Sequence, residues 1–168
     1  MIKLIKKISL IFVLFLLVGC SINNSPSSRV EDLMMKYQIV DDDISSGIDD
    51  IMVLQNLTEN HKDRYRKLLE KQYKNLSYNI KDELIDGDNA TVLTEIEVLD
   101  YKKSIADLTF DSTIYTKESY DSEKLSRLEN VKDKVKYTLE IKLNKDKDGV
   151  WRILPLSNED IRKIQGMY

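Results

Sequence analysis

At Leu76 the chain changes the period at which its apolar residues recur, and that change limits the folds open to it. Upstream, Val30, Leu33, Met34 and Tyr37 fall on one helical face, after Ser28 and Glu31 in the spacing of a capping box. Ile44, Ile48, Ile51 and Met52 form a second helical pattern. A third opens at Thr58 and carries Tyr65, Leu68, Leu69, Gln72 and Tyr73. Downstream, Leu76, Tyr78 and Ile80 alternate with polar residues, Asp86-Gly87-Asp88-Asn89 signals a hairpin, and Ala90, Val92, Thr94, Ile96 and Val98 alternate again. Val135, Tyr137, Leu139, Ile141 and Leu143 repeat the pattern, and Asp148-Gly149 turns the chain into a strand from Val150 to Leu154 that Pro155 ends. A helix is expected from Asp121 to Val131 and a short one after Ser157, stopped by Gly166. Tyr101 to Tyr120 carries mixed signals and reads as an excursion: Ile105 and Leu108 suit a short helix, while Thr109 to Thr116 is rich in β-branched and aromatic residues. The expected class is α+β, with N-terminal helices packed on a curved antiparallel sheet of about four strands, one face buried and one wet.

The first twenty residues follow a different logic. Lys3, Lys6 and Lys7 form a positive start, Ile8 to Val18 is apolar apart from Ser9, and Leu17-Val18-Gly19-Cys20 closes the run. This is the layout of an export signal. As a helix the greasy stretch spans about 16 Å, roughly half of a bilayer core, too short for a stable membrane span. The closing four residues resemble the bacterial lipobox. That resemblance implies that Cys20 is acylated and becomes the first residue of the mature chain. The alternatives are an ordinary signal peptide with a chance cysteine, or an uncleaved membrane helix. Cys20 is the single cysteine in the sequence, so it has no disulfide partner within the chain, and lipidation accounts for an otherwise odd thiol. Two acyl chains give stable attachment where one is marginal, because each buried methylene contributes about 0.8 kcal/mol. The expected division is therefore a signal peptide over residues 1–19, a lipidated cysteine and flexible tether over 20–28, and one domain over 29–168 held at the outer face of the cell membrane.

Charge excludes one large class of partner. All 29 acidic residues lie beyond residue 19, whereas Lys3, Lys6 and Lys7 are three of the 26 basic ones. The formal charge of −3 for the full sequence thus becomes about −6 for the mature chain at standard ionisation. A general nucleic-acid binder needs the opposite, a clustered excess of Lys and Arg. Leu, Ile, Val and Phe make up roughly a quarter of the mature chain, above the level of about 20% below which charged sequences stay disordered.

Several strings carry a resemblance: Lys71-Gln72-Tyr73-Lys74-Asn75-Leu76, Asp86-Gly87-Asp88-Asn89-Ala90, Asp100-Tyr101-Lys102-Lys103, Val131 to Thr138, and Asp160 to Tyr168. They resemble uncharacterised lipoproteins of clostridia and related Gram-positive bacteria, and the order of elements looks like the cystatin-like and NTF2-like domains. The resemblance implies location and fold and supplies no catalytic residue. Gln165 stands where many such relatives are expected to carry histidine.

The residues that could carry chemistry are few. His61 is the lone histidine, in a polar first helical turn near Asp63, and reads as an exposed surface residue. One histidine and one acylated cysteine cannot supply a zinc site. Asn144, Asp146, Asp148 and Gly149 match the opening of a calcium loop, but Pro155 stands where the closing glutamate belongs. Asp41, Asp42, Asp43, Asp49 and Asp50 fit no loop register with Gly47. Glu95 and Glu97 share a strand face and read as solvated surface rather than an acid/base pair. The nine tyrosines and Trp151 read as core anchors, with a pocket lining as the alternative for the tyrosines. No catalytic, cofactor-binding or metal-ligating residue is nominated. The function expected is a non-enzymatic domain that binds an envelope protein or a small ligand. The alternative is a small NTF2-like pocket enzyme using a carboxylate on an apolar substrate.

Overall fold

A computed structural model describes residues 24–54 and 57–168. Cys20 and the expected export signal over residues 1–19 lie outside these described residues. The chain runs α1 (Pro26–Ile39), α2 (Asp42–Leu54), α3 (Glu59–Lys74), β1 (Ser77–Asp86), β2 (Asn89–Leu99), α4 (Tyr101–Ser104), α5 (Lys117–Glu129), β3 (Lys134–Lys145), β4 (Trp151–Ile153) and α6 (Asn158–Ile164). The four strands form one antiparallel sheet in sequence order, so the fold is α+β with its helices first, as the change of period implies.

Helix α1 begins at Pro26, two residues before the expected start at Ser28. Ser25 is the N-cap: its hydroxyl accepts from the Ser28 backbone N–H at 3.1 Å, and Ser28 Oγ accepts from the Ser25 N–H at 3.2 Å. This is a capping box built with serine at both ends, and Pro26 supplies a preset φ in the first turn. A proline read as part of a tether is thus a helix opener, and Ser25 to Ser28 belong to the folded domain. The helix then runs alongside β1. At its start the Ser27 N–H donates to the Glu83 carboxylate at 2.8 Å; near its end Gln38 Nε2 donates to the Leu76 carbonyl at 2.9 Å.

The core lies between the helices and one face of the sheet. Val92, Thr94 and Ile96 of β2 pair with Ile141, Leu139 and Tyr137 of β3, and all but Tyr137 are 0% exposed. Val30 and Met34 from α1, Ile48 from α2, Leu69 and Tyr73 from α3 and Ile164 from α6 close over them. Each fully buried aliphatic side chain contributes about 1.5–3 kcal/mol relative to an exposed one. A second cluster of Leu68, Leu99, Tyr101, Leu125, Leu128 and Val131 joins α3, α4 and α5.

Strand β1 departs from strict alternation. A bulge between Ile80 and Asp82 inverts its parity, so Tyr78 and Ile80 face the helices before it, and Glu83 and Ile85 do so after it. Leu84, which continues the apolar spacing of Leu76, Tyr78 and Ile80, consequently lies on the open face and is 69% exposed. The bulge also places Lys81 beside Glu95, and a lysine on a bulged edge discourages pairing with another chain.

The segment from Tyr101 to Tyr120 contains no strand. Asp111 accepts from both the backbone and the hydroxyl of Thr113, and its carbonyl accepts from the Tyr115 N–H at 2.8 Å, which closes the segment into turns. Phe110 and Tyr115 each meet the Tyr120 ring edge-on, at 5.4 and 5.8 Å. Helix α5 accordingly starts at Lys117 instead of Asp121, with Thr116 and Ser119 as a second capping box.

Candidate functional site

Helix α3 places His61 on the same stripe as Tyr65, Leu68 and Gln72, at intervals of four, seven and eleven residues. The histidine is therefore buried, 6% exposed, which corrects the expectation of a surface residue. Its Nδ1 has no hydrogen-bond partner. The signal was present in the sequence as a spacing one turn upstream of Tyr65, but the polar neighbours Asn60, Lys62 and Asp63 masked it.

The acidic segments are occupied by local structure. Asp146 accepts from the backbone N–H groups of Asp148 and Val150 at 3.0 and 2.9 Å and from Arg152 at 2.9 Å. Those contacts hold its carboxyl below the usual range, with the Val150 N–H as the largest cause. Asp41 caps the start of α2 by accepting from the Ile44 N–H at 3.0 Å and pairs with Lys36 at 3.3 Å. Among the described residues no group of three or more His, Cys, Asp or Glu is placed to hold a metal ion.

Glu95 and Glu97 lie on the open sheet face, each with lysine partners. Glu95 meets Lys81 at 3.3 Å and Lys136 at 3.4 Å; Glu97 meets Lys134 at 3.4 Å. The Lys81 ammonium, followed by Lys136, holds the Glu95 carboxyl below its ordinary value. A general acid needs the opposite shift, so this ladder is suited to pairing strands and solvating the face. Among the described residues the buried polar side chains are His61, Gln72 and Thr94.

The tyrosines divide between core and rim. Tyr73 and Tyr101 are buried, and Tyr37 packs edge-on against Tyr73 at 5.1 Å. The Tyr101 hydroxyl donates to the Leu68 carbonyl at 3.1 Å. Trp151 is buried, with the Lys145 ammonium 4.6 Å from its ring centroid. Burial pushes the Tyr37 hydroxyl up to about 12 from 10.0, and moves Tyr73 and Tyr101 in the same direction. A phenol whose value is raised by folding binds its proton more tightly in the native state. The resulting stabilisation is complete below about pH 10 and disappears as the pH rises through 12. Urea midpoints measured from pH 9 upward are expected to fall over that window, and Tyr37→Phe is expected to flatten the fall.

Several open clefts lie on the described surface, and two of them adjoin β3 and the excursion. One, of about 500 Å³, lies at the outer edge of β3, between Thr138, Glu140 and Lys142 and the chain from Leu154 to Asp160. Lys163 closes one end by donating to the Thr138 carbonyl at 3.1 Å while pairing with Glu159 at 2.7 Å. Gln165 ends α6 as its C-cap. The other cleft, of about 620 Å³, sits under the Asp107–Tyr115 turns. Arg127 spans it, bonded to Asp107 at 2.7 Å and Glu123 at 2.9 Å. Both clefts are lined by charged side chains, and in the first the Ser157 hydroxyl, at the N-cap of α6, donates to the Asp160 carboxylate at 2.6 Å.

One cluster escaped sequence reasoning because its members are far apart in the chain. Arg64 of α3 grips Glu129 of α5 with two parallel bonds, at 2.8 and 2.9 Å, and also donates to Ser126 at 3.1 Å. Lys71 adds a bond to the Glu129 carbonyl at 2.9 Å. These contacts dock α5 onto α3.

No family model, curated protein or solved structure matches the chain.

Proposed function

We propose that the protein is an exported lipoprotein, anchored through acylated Cys20 at the outer face of the cell membrane, whose domain binds an envelope protein or a small ligand without catalysing a reaction. The observation that carries the reading is the N-terminal sequence: three lysines, an apolar run too short to span, and Leu-Val-Gly-Cys with the chain's single cysteine. Its kinship with uncharacterised Gram-positive lipoproteins, and with cystatin-like or NTF2-like domains, belongs to the same proposal. The filled core between helices and sheet supports binding at the surface, because the best-buried side chains occupy the space where a pocket of that kind would open. The charged clefts beside β3 and under the excursion are the candidate contact areas.

The direct test is mass spectrometry of the protein extracted from its own membrane, with fatty-acid labelling of the same cells. The expected product begins at Cys20 and carries a diacylglyceryl group, and Cys20→Ser abolishes labelling. A mature chain that begins elsewhere, or an unmodified Cys20, overturns the anchor. Native spectra of the same extract read the second half of the proposal as added mass from a protein or a small molecule.

A further inference from the structure

The folded domain starts at a defined corner of the sheet. Asn24 Nδ2 donates to the Gly149 carbonyl at 3.2 Å, in the turn between β3 and β4. Two residues after the Ser25 cap, Ser27 is bonded to Glu83 near the end of β1. The turns at Gly87 and Gly149 are themselves adjacent, since the Lys145 N–H donates to the Asp88 carbonyl at 2.8 Å. The chain therefore enters the domain at the end of the sheet that carries both hairpin turns. The excursion and α5 lie at the other end, beyond Leu99, where Asp100 N–H meets the Asp133 carbonyl at 2.9 Å.

Resting on the anchor reading above, we propose that the hairpin end of the sheet is a membrane-contacting surface, with Leu84 and Ile85 entering the lipid-headgroup layer and the excursion facing outward. Four peptide steps separate Cys20 from Asn24, a reach of at most about 14 Å. The eleven residues of β2 extend about 34 Å from end to end. A lipid on Cys20 thus holds the hairpin end near the bilayer, and the far end stays out of reach of the surface in an upright domain.

The surface chemistry agrees with that placement. Leu84 and Ile85 are 69% and 51% exposed, one on each side of the edge strand, immediately before the Gly87 turn. The bulge in β1 is what turns Leu84 outward. Around them Asp82, Glu83, Asp86, Asp88, Asp146 and Asp148 outnumber Lys81, Lys145, Lys147 and Arg152, although Glu83 is bonded to Ser27 and Arg152 neutralises Asp146. Two apolar side chains at this end suit insertion among headgroups, with the lipid anchor holding the acidic rim at the surface.

The test uses the full-length protein, acylated during expression in bacteria and reconstituted in vesicles of phosphatidylcholine and phosphatidylglycerol. A fluorescent amino acid is placed in turn at positions 84, 147 and 112, leaving Cys20 free, and quenched by a lipid nitroxide at headgroup depth. Quenching at 84 and 147 is expected to exceed that at 112 by roughly threefold or more, given ends about 34 Å apart. Replacing Leu84 and Ile85 together by serine is expected to lower quenching at 147 while flotation with vesicles persists. Equal quenching at the three positions, as for a domain lying flat or tumbling on its tether, overturns the orientation. Stronger quenching at 112, or no response to the serine pair, also counts against it. Failure of the anchor looks different: protein lacking lipid by mass does not float with the vesicles, and the orientation falls with it.

Discussion

Alanine at Gly166 is expected to destabilise the domain by about 3 kcal/mol or more. The residue adopts φ +67°, and a Cβ there would lie 2.1 Å from the Leu99 carbonyl oxygen and 2.2 Å from Gln72 Nε2. Neither neighbour is free to retreat. Leu99 ends β2, and Gln72 is wholly buried in α3 and bonded to it. Gly166 is further tied by its own carbonyl, which accepts from the Lys102 N–H at 2.8 Å, and by its N–H, which donates to Lys163 at 2.9 Å. Gly87→Ala is the matched control, because Gly87 has φ +58° with nothing within 4 Å of the added carbon. It isolates the backbone cost of the left-handed conformation, about 1 kcal/mol. Urea denaturation of both variants reads the difference. A Gly166→Ala protein no less stable than Gly87→Ala would show that the junction of α6, β2 and α3 relaxes freely.

Gln72→Leu is expected to cost about 2–5 kcal/mol, although it adds an apolar side chain to an apolar environment. The Gln72 amide completes the backbone of Leu99: its Nε2 donates to the Leu99 carbonyl and its Oε1 accepts from the Leu99 N–H, both at 2.9 Å. Leucine strands both backbone groups in a buried site. Gln72→Glu retains the acceptor but sets a carboxylate against the Leu99 carbonyl, so it is expected to be at least as harmful at neutral pH. Hydrogen exchange of the Leu99 amide separates this explanation from simple repacking, since only loss of the bond exposes that proton at low denaturant. Because Gly166 and Gln72 act on the same atoms, the double variant should lose less than the sum of the two. Strict additivity would mean that the two residues stabilise the domain independently.

Both residues show where sequence reasoning stops. Gly166 was legible as a helix terminator after Ile164, and Gln72 as a polar member of an apolar stripe. Their meeting with Leu99 was not, because contacts across dozens of residues leave no periodic trace in the chain. His61 failed for a related reason: three polar neighbours suggested a wet first turn, while the burial of α3 against its surroundings was decided by tertiary packing. The excursion resisted assignment because its β-branched residues form turns around Tyr120 where no neighbouring strand is available to pair with them. Among the chemistry-bearing residues, Glu95 was legible as surface, and its lysine partners at 81 and 136 became visible only through register.

What the sequence determined by itself was the class and order of elements, since helical and strand periods are local properties of side-chain spacing. The strand from Ala90 to Val98 buries the residues its alternation selects, and that from Val135 to Leu143 buries Leu139, Ile141 and Leu143 and half-buries Val135 and Tyr137. The proposed export signal likewise rests on the sequence alone. Only the tertiary structure decided that Ser25 opens the domain at the hairpin end, that a bulge turns Leu84 to solvent, and that Gln72 closes the ladder at Leu99. Each of those depends on which distant backbone groups meet, and a hydrogen bond between remote segments is specified by the whole packing and by no single stretch of chain.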